Sequence, residues 1–327
     1  MKKLVLVLLA ILAITVILPV FANPQRDEAP SAASAGPASQ AVSKEPLRIG
    51  IMPDADSLPF MLARDENYFT EAGIPVELVL FTSPTERDAA VQAGKIDGVI
   101  SDILAAAFLA AGGFDTKITS YTDGRYGIVV SPASGIANLA GLKARKIGLS
   151  TNTIIQYTVD AQLSTAGVKA SEYTPVAVAQ MPLRLQMVLE GQLDAASLPE
   201  PLLTAASSQG AKLLSTTDTS GIDAGVMLFS KKVLDSRLAD VRAFYAAYYK
   251  AAQEINANPD KYRNYLVEKA KFPETVKEAY HFVTYRRPGL PEDAQIEMAL
   301  AWLHEKGLLS VELKPADLVD DRAIIGF

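Results

Sequence analysis

Cysteine is absent from this 327-residue chain. Disulfides, zinc fingers, thiolate-held iron–sulfur clusters and a cysteine nucleophile are therefore excluded. Histidine is nearly absent: His281 and His304 are the only two. Neither has clustered partners, so both read as surface or core histidines, and no Ser-His-Asp set can be assembled around them. A glycine-rich phosphate cradle, a Walker lysine motif and an HExxH helix are also missing. Basic surplus is lacking too. Lys and Arg total 31 against 37 Asp and Glu, for a net charge of −6. A nucleic-acid binder would carry a basic field, so none is expected as a partner. These absences predict a protein with no cofactor and no metal, and one that is not an enzyme.

What is present supports a large folded body. Hydrophobic residues make up 49% of the chain, enough for two domains. Lys2 and Lys3 precede an apolar run from Leu4 to Val20, and Val20-Phe21-Ala22 fits a signal-peptidase site. Residues 1–22 are expected to be a signal peptide or, if uncleaved, an N-terminal anchor, because the run lies near the lower limit for a membrane span. A lipoprotein is excluded for want of a Cys. The protein is thus expected to be exported, to the periplasm or another extracytoplasmic space. Residues 23–46 are rich in Ala, Ser and Pro and poor in large apolar groups. They are expected to form a flexible linker.

From Leu47 the pattern alternates strand and helix. Leu47–Ile51 reads as a strand, 58–68 as a helix and Val76–Leu80 as a strand. Ser83-Pro84-Thr85-Glu86 opens a helix as a capping box that Gly94 ends. Ile96–Ile100 is the next strand, and Ser101-Asp102 caps a helix running to Gly112. A second stretch echoes the first. Ile147 repeats Ile49, Gly191 repeats Gly94, Asp194 repeats Asp97 and Gly225 repeats Gly127, all at offsets of 97–98 residues. Ordered matches at one offset predict two similar α/β lobes. In the second, Thr151, Asn152 or Thr153 caps a helix ending near Gly167, and Pro182 opens another ending at Gly191. Beyond Lys231 the chain reads as helical over 237–257, 259–271, 273–284 and 292–306. Phe244, Tyr245, Tyr248 and Tyr249 form a stripe that suits packing against a lobe.

These residues resemble a known family. The opening LRIGIMPDADSLPFMLARDENYF (47–69), continued by Glu71-Ala72-Gly73-Ile74-Pro75-Val76-Glu77, resembles that of the nitrate/sulfonate/thiamine-precursor class of ABC solute-binding proteins, the NMT1/THI5-like group. AVQAGKID (90–97), LAGLKARKIG (139–148) and Leu198-Pro199-Glu200-Pro201 resemble further segments, the last with Leu198 where a Trp is common. The resemblance implies a two-lobed type II periplasmic-binding fold with a hinge and a helical C-terminal region. Lobe I would comprise 47–125 and 225–327, lobe II 126–224, with crossings near Arg125-Tyr126 and Ser220–Ala224. It also implies a monomer that carries a small molecule to an ABC permease and its ATPase. Two alternatives stay open: a chorismate-dehydratase-like or pyrimidine-synthase-like enzyme on the same fold, and a ligand sensor that docks to a membrane receptor.

Ligands of open α/β sheets sit beyond the carboxyl ends of the strands. The loops at those ends supply Asp54, Asp56, Ser57, Ser101, Asp102, Tyr121, Asp123, Thr151, Asn152, Thr153 and Glu200 as candidate ligand-binding residues. Asp102 and Glu200, 98 apart, are expected at equivalent places in the repeat, facing one cleft from opposite lobes. Arg125 reads as a hinge ion-pair partner. Acidic groups dominate this set, so an amine-bearing ligand such as a thiamine-precursor aminopyrimidine is expected over a sulfonate or nitrate, with Tyr121 placed to stack on a ring.

Overall fold

Short runs rich in Ile, Val and Leu become strands, and the runs between them become helices covering the sheet faces. The structure, a computed structural model, describes residues 45–327. The expected signal segment and residues 23–44 of the expected linker lie outside the described residues. One sheet takes β1 (Leu47–Ile51), β2 (Val76–Leu80), β3 (Gly98–Asp102) and β4 (Thr116–Tyr121). Between them run α1 (Leu58–Asp65), α2 (Tyr68–Glu71), α3 (Pro84–Gln92) and α4 (Ile103–Ala111). The chain then crosses to a second sheet of β5 (Tyr126–Val130), β6 (Lys146–Leu149), β7 (Thr174–Ala177), β8 (Ala195–Pro199) and β9 (Lys212–Thr216). Its helices are α5 (Ile154–Thr165), α6 (Met181–Leu189) and α7 (Leu202–Ser208). The chain returns through β10 (Gly225–Ser230) and ends in α8 (Lys231–Ser236), α9 (Leu238–Ala257), α10 (Arg263–Glu268), α11 (Asp293–Glu305) and α12 (Pro315–Leu318).

The sheet orders are β2-β1-β3-β10-β4 and β7-β6-β8-β5-β9. Position for position they are the same. Three parallel strands stand beside an antiparallel one, and in each sheet that antiparallel strand is the one a crossing delivers. This is the architecture of a type II periplasmic-binding fold. Register corrects one detail of the repeat. Ile49 pairs with Gly98, and Ile147 pairs with Ala195, so the offset is 98 on the first strand and 97 on the third. Asp102 therefore corresponds to Pro199, and Glu200 lies one residue beyond the equivalent place.

The aromatic stripe packs as expected. Phe244, Tyr245 and Tyr248 are buried. Phe244 stacks on Phe60 and Phe69 at 5.2 and 5.4 Å between ring centroids, and Tyr248 stacks on Phe60 at 4.4 Å. Three expectations need correction. The helix expected over 58–68 breaks where Asn67 adopts a left-handed φ of 62°. The strand expected over 96–100 runs from 98 to 102, so Ser101 sits in the strand and Asp102 alone caps α4, accepting from Ala105 N at 2.8 Å. The helix expected over 273–284 shrinks to a single 3₁₀ turn, Glu274–Val276. Side chains claim its carbonyls instead: Arg263 donates to Lys277, Glu278 and Tyr280, and Arg125 donates to His281. Buried Val276, Tyr280 and Val283 imitate a helical period, but tertiary bonds override it.

Candidate functional site

Two segments, 122–125 and 217–224, join the sheets. Arg286 ties them together. It donates to Asp123 on the outward crossing (Nε to Oδ1 at 2.5 Å, backbone N to Oδ2 at 2.8 Å) and to both oxygens of Asp223 on the return, each at 3.0 Å. Its guanidinium also lies 3.9 Å from the Tyr121 ring centre, and the Tyr121 hydroxyl donates to Arg287 O at 2.6 Å. One face of Tyr121 is thus already covered by a cation, where sequence reasoning had offered it to a ligand ring. Arg125 takes the hinge role read for it, with Asp218 at 3.0 Å and Glu200 at 3.7 Å.

The loop after β1 brings Asp54, Asp56 and Ser57 to the same place. Asp54 Oδ1 accepts from the backbone N and hydroxyl of Ser57 at 3.2 and 3.0 Å. Asp56 is buried against the outward crossing and the start of β10. A methyl group added at Gly124 would fall 2.2 Å from its Oδ2, and one at Gly225 would fall 3.1 Å from its Oδ1. No other residue type fits at Gly124 without moving that carboxyl. Burial, then the neighbouring Asp54, pushes Asp56 up to about 8 against the pull of Thr122. Burial likewise lifts Asp54 to about 6, opposed by its bonds from Ser57. Among the described residues neither carboxyl makes an ion pair with a basic group.

A carboxylate at the end of β3, and one just past the end of β8, each accept a backbone N–H from the helix that follows. Asp102 takes Ala105 N, as above, and Glu200 Oε2 accepts from Thr204 N at 3.0 Å. Burial raises both above the usual carboxylate range. Arg87 opposes this most at Asp102, and the bonds from Thr204 oppose it most at Glu200. The Tyr280 hydroxyl is buried and makes no hydrogen bond. Burial raises its pKa most, and Glu200, Asp56 and Asp54 push it the same way against Arg125. Ser101 Oγ and Ser197 Oγ are buried without partners as well. In the second lobe, Thr153 caps α5, accepting from Ile155 N at 3.2 Å. Thr151 and Asn152 are exposed at its entrance, and Asn152 has a left-handed φ of 57°.

Sequence reasoning missed the arginines behind the strand ends, although Arg87 and Arg184 stand 97 residues apart, at the repeat's own offset. Each donates to the equivalent carbonyl, Arg87 to Ile100 O at 3.5 Å and Arg184 to Ser197 O at 2.7 Å. Tyr280 was missed because its segment read as a helix. Among the described residues no group of three or more His, Cys, Asp or Glu is arranged to hold a metal. A cavity of about 570 Å³ beside the hinge is lined by Arg125, Glu200, Thr204 and His281. A larger one, about 710 Å³, lies between α5 and α11. Asp54, Asp56 and Asp102 line neither, so the strand-end cluster, with its convergent unpaired groups, is the better candidate site.

Residues 54–262 match the family described as NMT1/THI5 like, well over half of the chain. A protein named "Putative ABC transporter periplasmic binding protein", from Brachyspira hyodysenteriae, is 21% identical over 232 residues, covering 65% of this chain and 66% of that protein. The 4-amino-5-hydroxymethyl-2-methylpyrimidine phosphate synthase of Saccharomyces cerevisiae is 26% identical over 141 residues, 42% of this chain and 41% of the synthase. The matches thus span just under two thirds of the first relative's length and about two fifths of the second's. Among solved structures, the periplasmic aliphatic sulphonate binding protein SsuA from Escherichia coli has a TM-score of 0.73 at 18% identity, covering 85% of this chain and 92% of that one, which shows a common fold. With its paired sheets, its two crossings and a family match that runs through both lobes, the chain belongs to the NMT1/THI5-like family.

Proposed function

We propose that this protein is an extracytoplasmic solute-binding protein that delivers a small organic ligand to an ABC importer, its permease and ATPase. The acids at corresponding ends of the two sheets, Asp54 and buried Asp56 after β1 of one and buried Glu200 after β8 of the other, carry the reading. A site shared between two lobes on two crossings suits capture by closure. Family membership and the periplasmic binding protein among the relatives support it. The likeness to the pyrimidine synthase is partial, covering 42% of this chain and 41% of the synthase.

The ligand is an amine-bearing molecule, such as an aminopyrimidine. Asp102, Asp123 and Glu200 already face arginines, so the charge argument narrows to Asp54 and Asp56, which lack a basic partner. Bringing an anion beside Asp54 in its ionised form costs on the order of 4 kcal/mol at 4 Å with an effective dielectric near 20. Asp56, which burial keeps protonated up to about 8, gains its charge only when a cation is brought beside it. A cationic N–H donor gains in the same place. A thermal-shift panel at low salt tests this. Aminopyrimidines or alkylamines should raise Tm. A response to alkanesulfonates or nitrate, with none to any amine, would sink the charge assignment.

A further inference from the structure

Helix α5 is buried on two faces. Nine of its 12 residues are buried, and four of these, Gln156, Thr158, Asp160 and Gln162, are polar. Ile155, Val159 and Leu163 recur every four residues and pack with the core of the second sheet, as an amphipathic helix requires. Tyr157 and Asp160, three apart, form another face, and α11 covers it. The Trp302 ring meets that of Tyr157 edge-on at 5.8 Å between centroids. Asp160 accepts from Trp302 Nε1 at 2.8 Å and pairs with Lys306 Nζ at 3.1 Å. Yet α11 is carried by the other lobe. It packs against α4, and the chain beyond it returns to β4, where Asp320 N donates to Ile118 O at 2.9 Å. The contact between α5 and α11 therefore crosses from one lobe to the other.

Two observations set this seam apart from a core contact. It is not close-packed: a cavity of about 710 Å³ remains between the helices, walled in part by Ala161, Ala170 and Ala301. The Tyr157 hydroxyl beside it is buried without a partner. Protein interiors are filled to crystal-like density, and this boundary is not. The seam also sits at the end of a lever. At its start, α11 is held to the return crossing, where Gln295 accepts from Asp223 N at 3.2 Å and donates to Gly221 O at 3.0 Å. Trp302 lies seven residues further on, about 10 Å along the helix axis. A rotation of about 15° between the lobes, acting across that lever, displaces Asp160 from Trp302 by roughly 3 Å. A hydrogen bond does not survive such a shift.

We propose that Asp160, Trp302 and Lys306 form a latch between the lobes, which holds this arrangement of them and is released when they turn. Its groups suit that task. Once the seam parts, a carboxylate, an indole N–H and an ammonium all find water, so release leaves no buried polar group stranded. A contact made in one arrangement only shifts the balance toward that arrangement. The latch lies further along α5 than the strand-end cluster and acts without ligand. A change at Trp302 or Lys306 thus alters the lobe balance without touching the site, whatever the site takes.

The absence of Cys makes the test clean. The substitutions A161C and A301C, on opposite walls of the cavity, take a pair of spin labels there and nowhere else. Double electron–electron resonance on the ligand-stripped full chain then reads the separation of α5 and α11. W302F keeps a ring against Tyr157 but removes the donor, and K306M removes the cation. Each, added to the labelled pair, should raise the ratio of longer to shorter distances at least tenfold. K306R, which keeps the charge, should hold the profile of the labelled parent. Lys306 is half-buried at the cap of α11, so K306M decides the matter if W302F does not fold. A profile that is the same in the parent and in K306M overturns the proposal and makes the two helices parts of one rigid body. So does a lengthening in K306R equal to that in K306M, because the charge would then have no part in holding the seam.

Discussion

Asp56 shows how one residue can serve the fold and the site in opposite ways. It lies between Gly124 on the outward crossing and Gly225 at the start of β10, and burial holds it protonated up to about pH 8. In an unfolded chain the same group would ionise near pH 4. Its effect on stability therefore has a definite sign. Below about pH 4 both states hold the proton and the effect vanishes. As pH rises from about 4 to 8, only the unfolded state releases it, so stability falls; above about 8 the loss is constant. Asp56→Asn keeps the shape and removes the proton. Because each tenfold change in acidity is worth about 1.4 kcal/mol, D56N should be more stable than wild type by at least about that much at pH 8 and equal to it at pH 4. Urea unfolding at the two pH values checks this; equal stability at pH 8 would mean that Asp56 is ionised in the fold. The acids of this loop were legible in the sequence, but their fates were not. Asp123 pairs with an arginine 163 residues away, and no local pattern announces that. The arginines were legible in principle, since Arg87 and Arg184 obey the repeat offset of 97 that Gly94 and Gly191 revealed.

Among the elements, those with strong local signals formed where the sequence placed them. Ser83 caps α3 through Glu86 N, with Pro84 at the first position, and Gly94 and Gly191 end their helices with positive φ. The capping box is half made, because the Glu86 carboxylate accepts from Thr82 instead. Legibility failed where distant side chains replaced local backbone bonds, as over 273–284. It also failed for contacts between helices far apart in sequence. On α5, Asp160 accepts from Trp302 Nε1 at 2.8 Å and from Tyr173 Oη at 2.7 Å, with Lys306 Nζ at 3.1 Å. Trp302 and Lys306 come from the end of α11 and its cap, so this buried carboxylate joins the second sheet's helix to the C-terminal region. Its loss would strand two buried donors and a cation. Asp160→Ala should cost about 3 kcal/mol, read as a lower urea midpoint at unchanged slope. A midpoint shift equivalent to less than about 0.5 kcal/mol would assign the contact no net worth.

At the scale of the whole molecule, the argument for closure is one of differential contact. The two sheets are the same unit used twice, joined by segments that Arg286 binds to each other through Asp123 and Asp223. The tie restrains the crossings but spans neither strand-end cluster, so it permits rotation between the lobes. A ligand that touched one lobe alone would bind open and closed forms equally and could not shift their balance. One that reaches Asp54 and Asp56 in the first lobe and Glu200 in the second completes its contacts only when the lobes come together. Moving the population from about 1:99 to 99:1 needs on the order of 5.5 kcal/mol of preference. A charge-assisted hydrogen bond contributes about 1.5–3 kcal/mol, so two or three such bonds made only in the closed form suffice. Small-angle scattering of ligand-stripped protein, before and after adding the most stabilising amine of the thermal panel, should show a smaller radius of gyration with ligand. A profile unchanged at saturation would mean a rigid cleft, in which binding and lobe movement are separate.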